Sequence, residues 1–275
     1  MAFYGDSIPM DVCWVGPLPC LSSLEMPTAI VRIYAEDGFV IAADGLQLRD
    51  DKPFSDSLQK IFPIEHEHVS LAYALCGTTI MTSERTGEPV WNLEIEMAGA
   101  IKSLSGRESK NLAGYARRLS TPIIRRLEEA TRNGHTGAYA DKPTIADILI
   151  DGYYKGVPSR VRVGIYHRDQ KLATPEVVRD SVQMGGYHIH GSKLITASFF
   201  DPDDQSFAGY GKPGRVNGPM TLAAAIEIAA GYIRACSSPQ ALQMDRQCAG
   251  IGGHIHIATI TPKDGFRWVP GYEPL

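Results

Sequence analysis

A tight-turn signal between two apolar segments is the feature that most constrains how this chain can fold. The segment from Thr28 to Ala35 and the segment from Phe39 to Ala43 are rich in β-branched, aromatic and other apolar residues. β-branched and aromatic side chains favour strands. Asp37-Gly38 lies between the segments, and Asp-Gly is a preferred pair in β-hairpin turns. The sequence therefore predicts an antiparallel hairpin here.

Further strand and helix signals follow this hairpin in blocks. Polar residues 45–57 are predicted to form a loop. Strands are predicted at 59–64, 69–76, 145–154, 160–167, 193–200, 254–260 and 266–269. Helices are predicted at 89–104, 109–133 and 221–236, with Pro122 kinking or dividing the second. Antiparallel strand pairs separated by helices favour an α+β fold, with two stacked sheets and helices outside them.

The first part of the chain differs from the rest. Residues 1–27 contain four prolines and no sustained periodicity, so we interpret them as an irregular N-terminal extension. We expect the folded domain to cover residues 28–275. The hydrophobic fraction of 44% and the charged fraction of 21% are typical of a globular domain.

Charge and hydropathy exclude several classes of partner. A net charge of −4 and the lack of a long basic cluster argue against nucleic-acid binding. No apolar run approaches the roughly 18 residues of a membrane span, and the N-terminus lacks the pattern of a secretory signal. These features predict a cytoplasmic protein without a membrane partner.

Neither cysteines nor histidines are spaced as an evident metal site. The five cysteines include no Cys-x-x-Cys pair, which indicates reduced thiols and argues against a cysteine zinc site. Six of the eight histidines form the pairs His66/His68, His188/His190 and His254/His256. Alternate residues of a strand share one face and could chelate a metal, but we interpret these pairs as solvent-facing or loop residues. We therefore expect no metal and no cofactor.

Four residues have the order that an N-terminal threonine hydrolase requires. Thr28 opens the first predicted strand, Asp44 closes the second, Lys60 begins the third and Gly77 ends the fourth. In such enzymes the threonine hydroxyl attacks a carbonyl while the freed α-amine accepts the proton. A lysine held by a carboxylate favours the deprotonated nucleophile, and a backbone N–H stabilises the oxyanion.

These residues and their surroundings resemble the start of a proteasome β subunit, or of the related bacterial two-component protease subunit. The similar stretch runs from Thr28 through Asp44-Gly45 to Lys60, and both spacings from Thr28 match the family without a gap. The resemblance implies Thr28 as nucleophile, Lys60 as the group that tunes it, Asp44 as the lysine's partner and Gly77 as the oxyanion glycine. It also implies a four-layer αββα sandwich of the N-terminal-nucleophile (Ntn) hydrolase type.

Weaker similarity continues to the closing strand near Gly252-Gly253. There Ile251 replaces the family's Ser, and Asp245 is the nearest carboxylate, so Asp245 is our candidate accessory residue. The resemblance implies a peptide or protein substrate, a homo-oligomeric ring and a possible ATPase partner of unknown identity. It also requires removal of residues 1–27, so that the amine of Thr28 becomes free.

Two other functions stay open on the sequence. Pro27 precedes Thr28 where active members of the family usually have Gly, and Ala29 follows it where many have Thr. These differences are compatible with a catalytically silent structural or interaction subunit that keeps its N-terminal extension. An Ntn amidase acting on a small molecule is the third possibility, because one fold can host several amide hydrolyses.

Overall fold

A computed structural model describes residues 28–49, 52–83, 86–107, 109–132, 144–168, 171–172, 175–213 and 220–275. The predicted extension 1–27, including Pro27, lies outside the described residues, as do Cys13 and Cys20. Within the part of the chain that is described, no helix is both long enough and apolar enough to cross a bilayer.

The described residues form a mixed α+β structure with antiparallel sheets. Its strands are β1 (Ile30–Ala35), β2 (Gly38–Asp44), β3 (Gln47–Arg49), β4 (Lys52–Ser55), β5 (Ile61–His66), β6 (Val69–Gly77), β7 (Ile80–Thr82), β8 (Pro89–Asn92), β9 (Thr144–Tyr154), β10 (Val157–Arg168), β11 (Lys171–Leu172), β12 (Glu176–Arg179), β13 (Tyr187–His190), β14 (Ile255–Thr261) and β15 (Gly265–Trp268). Its helices are α1 (Leu93–Leu104), α2 (Leu112–Arg132), α3 (Lys193–Phe200), α4 (Leu222–Cys236) and α5 (Pro239–Met244).

Two larger sheets contain most of the strands. The first has the order β13-β1-β2-β14-β15, and the second has the order β11-β10-β9-β6-β5 with β12 also paired to β10. The predicted hairpin is β1–β2, and its register places Ala35 opposite Gly38. β3–β4 and β7–β8 form separate two-stranded sheets.

Three groups of buried apolar side chains hold these elements together. One joins the second sheet to α1 and α2, and another joins the first sheet to α3, α4 and α5. The third contains residues of both sheets, among them Phe39, Ile41, Leu149 and Ile260. Each large sheet therefore contacts helices through one face and shares apolar contacts with the other sheet.

The strand predicted at 193–200 is wrong, because this segment is helix α3. The Ser192 hydroxyl accepts a hydrogen bond from the Ile195 amide at 3.2 Å and caps the helix. Ile195, Ser198 and Phe199 are buried at the three- and four-residue spacing of one helical face. The β-branched and aromatic residues of this segment favoured the strand interpretation.

Other boundaries differ from the predictions for local reasons. The predicted loop 45–57 contains the short hairpin β3–β4. The first helix begins at Leu93, because the Asn92 side chain accepts from the amides of Glu94 and Ile95, while Pro89–Asn92 pairs with β7. Pro122 does not divide α2.

Candidate active site

Asp44 and Lys60 form a buried ion pair at the end of the first hairpin. The Lys60 Nζ atom lies 2.9 Å from Asp44 Oδ1 and donates a second hydrogen bond to the Leu46 carbonyl at 3.0 Å. Asp44 is 0% exposed and Lys60 is 6% exposed. The ammonium group is therefore held in one position with little access to water.

Backbone amides complete the surroundings of the Asp44 carboxylate. The Ala29 amide donates to Oδ1 at 2.9 Å, and the Gly252 amide donates to Oδ2 at 3.3 Å. Burial raises the pKa of Asp44, and the charge of Lys60 and the two amides oppose that rise. Because Ala29 follows Thr28, the same carboxylate links Lys60 to the chain next to the predicted nucleophile.

Close backbone contacts position the loop that leads from Asp44. The amides of Gly45 and Leu46 both donate to the Gly252 carbonyl, at 3.0 and 2.9 Å. A Cβ atom at Gly45 would lie 2.6 Å from the His254 carbonyl oxygen, so only glycine permits this approach. The Leu46 carbonyl, which accepts from Lys60, is thereby held against the start of β14.

Gly77 ends β6 in a conformation that favours glycine. Its φ angle is +85°, and a Cβ atom there would lie 2.6 Å from the Ile145 carbonyl oxygen. Both observations explain why no larger residue occupies this position.

Three of the predicted site residues line one cavity. Thr28, Lys60 and Gly77 share a cavity of about 70 Å³. Its other lining residues include Leu46, Gln47, Leu58, Phe62, Cys76, Thr79, Asn92 and Glu94. Asp44 lies behind Lys60 and reaches the cavity through it. The structure therefore brings together the four residues that were predicted to be catalytic, which are Thr28, Asp44, Lys60 and Gly77.

Asp245, the predicted accessory residue, has different partners. Its carboxylate accepts from the Ser192 hydroxyl at 2.5 Å and from the Gln247 amide at 2.9 Å. Among the described residues, no hydrogen bond joins Asp245 to Asp44 or Lys60. The Asp245 carboxylate therefore orients the side chain of Ser192, which caps α3.

Ser192 lies near the end of β1 where Thr28 is, a position that the sequence did not reveal. β1 and β13 are antiparallel, with Ile30 opposite His190. Thr28, which precedes β1, and Ser192, which follows β13, therefore lie at the same end of this strand pair. A serine before a helix is a capping signal, which could have identified this position. The strand predicted at 193–200 concealed it.

The histidine pairs are less exposed than predicted. His68 is exposed, whereas His256 is 0% exposed and His190 is partly buried. Burial, together with Arg32 and Arg162, lowers the pKa of His190 to about 3. The solvent-facing interpretation is wrong for His256.

No protein-family model matches the chain, and no curated protein matches it.

Proposed function

We propose that this chain is a threonine peptidase of the proteasome-like Ntn hydrolase type, with Thr28 as its nucleophile. The observation that carries the proposal is the buried Lys60–Asp44 pair, which holds an ammonium group at the cavity that Thr28 lines. A lysine of which 6% is exposed has lost most of its hydration. Such a buried pair contributes little net stability by itself, so its position at the cavity that Thr28 also lines favours a functional role.

The proposed reaction uses four residues of the chain. Removal of residues 1–27 would free the Thr28 amine, which accepts the proton as the Thr28 hydroxyl attacks a substrate carbonyl. The Lys60 ammonium favours the deprotonated forms of both groups through its positive charge. The backbone N–H of Gly77 is assigned to the oxyanion, and Asp44 keeps Lys60 charged and oriented.

The finer fold assignment belongs to the same proposal. The contacts of each large sheet with helices on one face and with the other sheet support a four-layer αββα sandwich. We also propose a peptide or protein substrate, assembly of copies into a ring, and a cytoplasmic location. An ATPase partner of unknown identity is compatible with such a ring.

The nature of the N-terminus tests the proposal. In the purified chain, intact-mass measurement and N-terminal sequencing should find a species that begins at Thr28. An electrophilic peptide probe should label that residue. Thr28→Ala should keep residues 1–27 and lower kcat/KM on peptide substrates by about 1,000-fold or more. Thr28→Ser keeps a hydroxyl and should retain part of the activity.

Thr131→Ala, on α2, is the matched control and should leave both processing and activity unchanged. An intact chain that neither reacts with the probe nor cleaves peptides would contradict the peptidase and support the silent subunit. Cleavage of small amides but not peptides, by a monomer or dimer in sedimentation analysis, would instead support the amidase.

A further inference from the structure

Three metal-ligating side chains converge from three strands of the two large sheets. Cys76 is on β6, Asp147 is on β9 and His190 is on β13. The Cys76 Sγ atom lies 3.7 Å from His190 Nδ1, and all three donor atoms lie within 4.8 Å of one another. The residues are far apart in the sequence, so the cluster exists only because the sheets pack together.

We propose that Cys76, Asp147 and His190 bind a divalent zinc-class cation. Three atoms within 4.8 Å of one another share a point no more than about 2.8 Å from each. Zinc bonds to nitrogen, oxygen and sulfur are about 2.0–2.3 Å long, so small side-chain rotations close the difference. Ligands on a tetrahedral zinc ion are separated by about 3.5 Å, which is close to the observed 3.7 Å between sulfur and nitrogen.

The ligand types select the class of ion. Thiolate and imidazole favour zinc and its neighbours in the transition series, whereas magnesium and calcium prefer oxygen ligands only. Three protein ligands also leave a fourth tetrahedral position for water or another small ligand.

Charge balance supports the same assignment. The Cys76 thiolate and the Asp147 carboxylate together match the two positive charges of the ion, so the complete site is neutral. Cys76 is 8% exposed and Asp147 is 9% exposed, and a neutral set costs less to bury than an isolated charge. Burial and Asp147 raise the pKa of the Cys76 thiol, while Arg32 and Lys60, both held in ion pairs with carboxylates, oppose that rise. Binding of the ion therefore has to release the thiol proton.

The cavity offers an access path to the cluster. Cys76 lines the same cavity as Thr28 and Lys60, so one ligand is reachable from that side. Ion binding requires neither a free Thr28 amine nor peptide cleavage. Binding of the ion is therefore independent of the proposed peptidase activity.

Cobalt(II) titration tests the site, because a cobalt–thiolate bond gives a charge-transfer absorption band. The purified chain, reduced and treated with chelator, should bind one cobalt ion per chain with this band, and zinc should displace the cobalt. Cys76→Ser should abolish the band. His190→Gln and Asp147→Asn should keep the band but weaken binding by about 10-fold or more.

Other cysteines provide the matched controls. Cys248→Ser and a Cys13→Ser/Cys20→Ser double variant should leave both the band and the affinity unchanged. Circular dichroism in the presence of chelator checks that each variant is folded. If Cys76→Ser is unfolded, the affinities of His190→Gln and Asp147→Asn test the site in its place. Absence of the band in the wild-type chain, its persistence in Cys76→Ser, or unchanged affinity in both other variants would overturn the proposal.

Discussion

Asp44 shows how much one buried side chain can determine at the residue scale. Its backbone amide donates to the Ala29 carbonyl at 3.1 Å, and its carboxylate accepts from the Ala29 amide. The same carboxylate binds Lys60 and the Gly252 amide. One residue therefore aligns the start of β1, the lysine and the loop before β14. Breaking a buried pair by removing one partner leaves an uncompensated charge, which is strongly destabilising.

The burial of His256 should make the stability of the fold depend on pH. Its two ring nitrogens are buried without a hydrogen-bond partner, and burial, together with His254 and Lys60, lowers its pKa from 6.5 to about 4. The folded state therefore favours the neutral ring, while the unfolded chain takes up a proton as pH falls below 6.5. This stabilisation is complete above pH 6.5 and is lost as pH falls toward 4.

Denaturant unfolding at a series of pH values measures this effect. Between pH 6.5 and 4, His256 should lower the free energy of unfolding by about 2–3 kcal/mol. His256→Leu should remove that part of the slope. His68→Asn changes an exposed histidine with a φ angle of +62°, which Asn tolerates, and serves as the control. An unchanged slope in His256→Leu would contradict the assignment.

At the element scale, α4 contacts the chain that precedes it through a glycine. A Cβ atom at Gly231 would lie 1.9 Å from the Tyr210 carbonyl oxygen, and Tyr210 ends the short 3-10 helix Ala208–Tyr210. Both the carbonyl and the helix would have to move to accept any side chain. Gly99 on α1 differs, because a Cβ atom there has no neighbour within 4 Å.

We expect replacement by alanine to change the free energy of unfolding in opposite directions at these two glycines. Gly99→Ala should raise the free energy of unfolding by about 0.5–1 kcal/mol, because alanine loses less backbone entropy in a helix. Gly231→Ala should lower it by about 1–3 kcal/mol, because the clash outweighs that gain. Urea unfolding followed by circular dichroism measures both. Stabilisation by both substitutions would show that α4 is free to move away.

At the scale of the whole molecule, a buried ionic network connects the two large sheets. Arg32 on β1 donates to Asp151 on β9 at 3.1 Å and to Asp180 at 2.9 Å, and Arg160 on β10 also donates to Asp151. Arg32, Asp151 and Arg160 are at most 2% exposed. Burial alone would raise the pKa of Asp151, but Arg160 and Arg32 lower it.

Asp151→Asn tests whether this network holds the sheets together. The substitution leaves two buried guanidinium groups without their shared carboxylate, so the free energy of unfolding should fall by about 3–5 kcal/mol. Glu129→Gln, which breaks an exposed pair with Arg126, is the control and should change it by less than about 1 kcal/mol. Equal effects of the two substitutions in denaturant unfolding would contradict a structural role for the network.

The sequence by itself determined the features that depend on neighbouring residues. The Asp37-Gly38 turn and its apolar flanks predicted the β1–β2 hairpin, and the order of strand and helix blocks predicted an α+β structure with antiparallel sheets. Thr28, Asp44, Lys60 and Gly77 were predicted as site residues from their positions at strand ends and from the resemblance to a proteasome β subunit. Local propensity was insufficient at 193–200, where β-branched and aromatic residues form a capped helix.

Only the tertiary structure decided which distant side chains meet. Ser192 lies beside Asp245, Cys76 beside His190, and Arg32 beside Asp151, because helices and strands that are distant in sequence pack side by side. The burial of His256 likewise depends on sheet packing, since alternation along a strand does not indicate which face is covered. Propensity and turn chemistry are local, whereas burial and the pairing of charges follow from contacts made over the whole chain.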